Sequence, residues 1–129
     1  MARAFNLTVF DQTISGDTPP SSPRFYTSQE HASLLGSVES LQAQIICRAF
    51  TATTTITVEY EITNAPEYDV WYPTGTISTL TVSVVTDLPG VDFLPVAAAN
   101  SLAAYGRFRV SCDAGVAQVQ LVVAGYSKS

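Results

Sequence analysis

A single histidine limits the nucleophilic chemistry open to this chain. His31 lies between Glu30 and Ala32, and any Ser-His-Asp or Cys-His relay would have to run through it. It falls in a stretch rich in Pro, Ser and Thr, with no regular element to hold a base in fixed geometry, so no catalytic role is expected of it. Glu59 and Glu61 are a second possibility. Two residues apart on one strand face, their carboxylates would lie roughly 7 Å apart at about 3.4 Å per residue, which overlaps the spacing used by inverting glycosidases. They occupy the polar side of an alternating segment, where carboxylates are ordinarily solvated. Asp87, Asp92 and Asp113 lie in or beside loops and could offer oxygens to calcium, but without the 1-3-5 rhythm of a calcium loop. The seven glycines are scattered through turns, so no phosphate-cradling loop is present. Trp71 and Tyr72, with Tyr68, fit either an aromatic platform for a sugar ring or an anchor in a core or interface. The expectation is a chain with no catalytic residues, no cofactor and no metal.

The elements that would position these residues are strands. From Thr55 to Thr63, Ile56, Val58, Tyr60 and Ile62 alternate with Thr and Glu, which predicts a half-buried antiparallel strand. Leu41, Ala43, Ile45, Cys47 and Ala49 share a face one segment earlier, and the short link Thr51–Thr54 predicts a hairpin between the two. Further strands are predicted at Phe5–Val9, around Tyr68–Tyr72, at Leu80–Val84 and Phe108–Cys112, and from Ala117 to Val123. Asp113-Ala114-Gly115 reads as a tight turn joining the last two. Val96–Ala104 has room for one helical turn. Ile56, Val58, Tyr60, Ile62, Leu80, Val82, Val84, Phe108, Val110, Val119 and Leu121 form the predicted core. Six or seven short strands predict an all-β fold: an antiparallel β-sandwich, jelly-roll-like, as one domain over residues 1–129. Residues from about 11 to 37 break the pattern with Gly16, Pro19, Pro20 and Pro23 and read as an irregular N-terminal arm. Its apolar residues Phe25, Tyr26, Leu34 and Leu35 are the predicted interface, docking on the chain's own body or on a neighbour.

Composition narrows the partners. Charged residues make up 13 % of the chain, about half the usual ~25 %, which leaves a surface of Ser, Thr, Gln and small apolar groups that desolvates easily against another protein. The net charge is −5 and there is no basic stripe, so no nucleic-acid partner is expected. No apolar run approaches the ~18 residues of a membrane span, and Met1–Asn6 lacks the apolar region of a secretory signal. For a chain of cytosolic origin, Cys47 and Cys112 are expected to be buried, reduced thiols, with a disulfide possible only if their strands are neighbours.

Three segments carry a family resemblance: Thr-Ile-Thr-Val-Glu-Tyr-Glu-Ile-Thr-Asn at Thr55–Asn64, Asp-Val-Trp-Tyr at Asp69–Tyr72, and Ala-Tyr-Gly-Arg-Phe-Arg-Val at Ala104–Val110, followed by a closing strand at Val116–Gly125. Together they resemble a recurrent β-sandwich of tailed-bacteriophage virion proteins of the head decoration or cement type. In place of the usual Asn-Asp-Gly turn before the tryptophan, this chain has Asn64-Ala65-Pro66-Glu67. The resemblance implies a non-enzymatic capsid decoration protein, assembled in the host cytoplasm and placed on the capsid surface of the virion. Its partners would be the major capsid protein of a phage head and other copies of itself, a homotrimer being favoured. Two alternatives stay open: a secreted carbohydrate-binding module, and the coat protein of a small phage. The acidic face around Glu59 and Glu61 counts against an RNA-facing sheet.

Overall fold

In the computed structural model the backbone is described for residues 3–16, 25–28, 38–96 and 105–127, and the side chains for 6–16, 25–28, 41–96 and 105–125. Among the described residues eight strands run in chain order: β1 (Arg3–Ser15), β2 (Tyr26–Thr27), β3 (Val38–Phe50), β4 (Thr54–Thr63), β5 (Tyr72–Val82), β6 (Gly90–Val96), β7 (Tyr105–Cys112) and β8 (Val116–Ser127). They form two antiparallel four-stranded sheets, ordered β1-β8-β3-β6 and β2-β7-β4-β5. The order has a simple origin. β1 pairs with β8, β2 with β7, β3 with β6 and β4 with β5, as in one long antiparallel ribbon folded at its middle. Wrapping that ribbon brings β3 against β8 and β4 against β7, which splits it into the two sheets of a jelly roll. The predicted all-β sandwich is the observed fold.

Between the sheets lies the core. Ile56, Val58, Tyr60, Val82, Phe108, Val110, Val119 and Leu121 are buried as the alternation predicts, joined by Leu41, Ala43, Ile45, Leu94 and Val123. Ile62 and Leu80 pack against the core only in part. Val84 is exposed, a correction to the predicted core. β5 ends at Val82 and the chain turns into a short 3-10 helix, Val85–Asp87, which carries Val84 outward. Both cysteines are buried thiols outside any disulfide, and burial pushes the Cys47 thiol above its ordinary pKa.

The predicted hairpins are corrected by the same wrapping. β3 and β4 belong to opposite sheets, as do β7 and β8, so Thr51–Thr53 and Asp113–Gly115 are corners between sheets. The two corners are tied to each other. The Thr51 N–H donates to the Val116 carbonyl and the Val116 N–H to Thr51 Oγ1. Asp113 Oδ1 accepts from the Thr55 N–H and from Thr54 Oγ1. Gly115 turns with φ of 62°, a left-handed conformation that glycine adopts at no steric cost. Gly16 meets this corner at the end of β1, and a Cβ there would lie 2.5 Å from the Ala114 nitrogen.

The irregular arm is shorter than expected, because β1 runs on to Ser15 and β2 lies within the remainder. A bulge between Thr8 and Phe10 inserts Val9 and shifts the phase, so Val9, Phe10 and Ile14 are all buried. A one-residue insertion of this kind breaks period-two alternation while the strand continues. The predicted strand near Tyr68 is instead a 3-10 helix, Pro66–Tyr68, with β5 starting at Tyr72. β6 had no predicted counterpart, because Pro95 disguises it, yet an edge strand tolerates proline. The possible helical turn at 96–104 lies beyond Val96 almost wholly outside the described residues.

The Tyr60 hydroxyl is buried with no hydrogen-bond partner among the described residues, and its ring packs 4.9 Å from that of Phe108. Tyr60→Phe keeps the ring and removes an orphaned polar atom. We expect it to raise stability by about 1 kcal/mol or more and the melting midpoint by a few degrees, as read by thermal denaturation.

Candidate functional site

The outer face of the β2-β7-β4-β5 sheet brings together the residues that sequence reasoning left apart. β4 and β7 pair in register, setting Glu59 opposite Arg109 and Glu61 opposite Arg107. Because both strands alternate, all four side chains stand on the same outer face. Arg109 Nη2 lies 3.2 Å from Glu59 Oε1, and Arg107 Nε lies 3.1 Å from Glu61 Oε1. Asp69 adds a second carboxylate 3.6 Å from Arg107 Nη1. An aromatic ring covers each guanidinium, with Trp71 4.2 Å from that of Arg107 and Phe25 4.1 Å from that of Arg109.

Two adjacent rungs therefore repeat one motif: ring, guanidinium, carboxylate. The planar guanidinium suits both contacts, stacking on the ring and donating along its edge. The Glu61 side chain is only 6 % exposed and that of Glu59 14 %. This corrects the reading of a solvated acidic face. Both carboxylates face guanidinium groups, and both guanidinium groups are engaged rather than free to meet phosphates.

Beside the Arg107 rung the chain forms an open apolar groove of about 530 Å³, lined by Ile62, Thr63, Asn64, Ala65, Tyr68, Val70 and Tyr72. Its far wall is the 3-10 helix Pro66–Tyr68, which ends at Asp69 in the left-handed region with φ of 52°. Asp69 is among the residues that tolerate this conformation, and the reversal turns Tyr68, Val70 and Tyr72 outward at 75 %, 52 % and 62 % exposure. The Trp71 indole Nε1 is buried with no hydrogen-bond partner among the described residues. Trp71 thus belongs neither to the core nor to an open platform: it is half-buried as the lid of the Arg107 rung, and the exposed rings are Tyr68 and Tyr72.

Of the predicted interface residues, Phe25 is exposed and stacks on Arg109. Tyr26 is half-buried against the core, and its hydroxyl accepts from the Ser15 N–H at 3.2 Å, tying β2 to the end of β1. Leu34, Leu35 and His31 lie outside the described residues. The three loop aspartates do not converge. Asp87 accepts from the Ser83 and Val84 N–H groups, Asp92 from Ser78 Oγ and its neighbour Phe93, and Asp113 from the corner at Thr54 and Thr55. Among the described residues no group of three or more His, Cys, Asp or Glu side chains could hold a metal ion. Arg107 and Arg109 were missed as site residues, although their spacing of two on β7, mirroring Glu59 and Glu61 on β4, was a readable signal of cross-strand ion pairs.

No family model matches the chain, and no curated protein matches it. Among solved structures, a chain from the structure of infectious bursal disease virus, Gx strain, is similar in fold with a TM-score of 0.51 and 10 % sequence identity. The likeness covers 96 % of this chain and 33 % of that one, so this chain spans about a third of the length of its structural neighbour. At this identity the likeness is one of fold.

Proposed function

We propose that this chain is a non-enzymatic structural protein of a virus particle and, more specifically, a decoration protein that binds the outer surface of a phage head. The observation that carries the reading is the eight-stranded jelly roll, shared over 96 % of the chain with a chain of infectious bursal disease virus. The surface is consistent with such work. Its charged ladder is internally neutralised, and the exposed Tyr68, Val70 and Tyr72 offer the aromatic and aliphatic area that protein interfaces favour. A head-binding protein of this size gains from repetition, since many modest contacts act together when copies are arrayed on a symmetric shell.

The test is addition of the purified chain to preformed heads of its source virus lacking it, followed by density-gradient sedimentation. The expected result is co-sedimentation that saturates at a fixed ratio of this chain to the major capsid protein. Absence of the chain from the head fraction at any input would overturn the decoration reading. A second reading, a coat protein that builds a small shell by itself, draws on the same jelly roll. It predicts closed particles in electron micrographs of the purified chain alone.

A further inference from the structure

The outer face of the other sheet, β1-β8-β3-β6, is unlike the charged ladder. Its central cross-strand rows run Phe93–Gln44–Val122 and Val91–Ile46–Gln120, a checkerboard of apolar and amide side chains. Phe93 and Val91 are 50 % and 43 % exposed. Among the residues whose side chains are described, the only charges on this face are Arg48 and Asp11, which form an ion pair with each other. A solvent-facing antiparallel sheet is normally polar and charged on its wet side. Here the described side chains of four strands present an extended surface with no net charge, on a chain whose net charge is −5.

We propose that this face is where a second copy of the chain docks, sheet against sheet, about a two-fold axis. Charge selects the occupant. Two copies repel through their net charge wherever acidic surfaces meet, and this neutral face lets them approach without burying like charges. A partner drawn by opposite charge would find nothing to pair with here. Area is sufficient as well. Four strands about 4.8 Å apart, paired over about ten residues of ~3.3 Å rise, give roughly 600 Å² in projection. Side-chain relief raises the accessible area toward the ~800 Å² per partner of a standard stable interface. Glutamine amides both donate and accept, so two identical faces can satisfy one another. The inference does not depend on the virion reading, because it concerns the chain in solution.

Gln120 lies on β8, one of the two central strands, so a two-fold axis through the middle of the face sets it near its own counterpart. The experiment measures mass by sedimentation equilibrium for the wild type, for Gln120→Glu and Gln120→Lys separately, and for their equal mixture. A melting curve on each variant checks folding, and Thr79→Glu on the opposite sheet serves as the control. The expected results are a two-chain mass for the wild type and the control, and a one-chain mass for each Gln120 variant alone. The mixture should recover the two-chain mass. Like charges set opposite each other should raise the dissociation constant at least ~100-fold. A wild type that is monomeric at every concentration, Gln120 variants with unchanged mass, or a mixture that stays monomeric would each overturn the proposal. Failure to bind heads would bear only on the decoration reading.

Discussion

Val58→Asp is expected to abolish cooperative folding. Val58 is fully buried near the middle of β4, opposite Ser78 on β5 and Val110 on β7. Burying its side chain contributes roughly 1.5–3 kcal/mol that aspartate cannot replace. An unpaired carboxylate there costs several kcal/mol more. Against a total stability of about 5–15 kcal/mol for a domain, the sum removes most or all of the margin. Val58→Ala, which loses only packing, should still fold and melt cooperatively at a lower temperature. The measurement is a thermal melt followed by circular dichroism. A Val58→Asp protein that stays soluble and melts in one sharp transition would mean that β4 presents its other face to the core.

That β4 prediction could be made from sequence because its alternation is unbroken from Thr54 to Tyr60. The same holds for β7 and for β8 as far as Val123, where every second residue is buried. Legibility failed where one residue shifted the phase or where pairing was decided at long range. The bulge at Val9 hid the second half of β1 and made Asp11–Ser15 look like an arm. A short link between two alternating segments suggests a hairpin when only local sequence is considered. Here both corners cross between sheets, because β8 and β7 claim the edges of β3 and β4 that a hairpin would use. For the candidate site, each pair of like charges was visible on its own strand. The ladder was not, because the β4–β7 register sets residues about 50 positions apart opposite one another, and nothing local specifies that register. Arg107, with Trp71, Asp69 and Glu61 around it, is a product of tertiary structure.

Arg107→Ala is the second large effect expected, because it strips from the buried Glu61 carboxylate the guanidinium that lies 3.1 Å away. Breaking a buried pair by removing one partner costs about 3–5 kcal/mol, most of it from the charge left behind. Here Asp69 stands on the same guanidinium, so its removal also leaves two carboxylates without the cation between them. Glu61→Gln removes the charge instead and should cost less. If the pair acts as a unit, the double variant Arg107→Ala/Glu61→Gln should be more stable than Arg107→Ala alone, with a coupling of roughly 1–3 kcal/mol. Trp71 makes the rung directly observable, since it is the only tryptophan in the chain and its ring lies 4.2 Å from the Arg107 guanidinium. Tryptophan fluorescence should therefore change in folded Arg107→Ala, and chemical denaturation followed by that signal gives the stability of all three variants. Additive losses would mean that Glu61 is held by its strand neighbours, with Arg107 only lying across it. A coupled loss would make the rung the anchor of the Asp69 reversal, and with it of the exposed wall formed by Tyr68, Val70 and Tyr72.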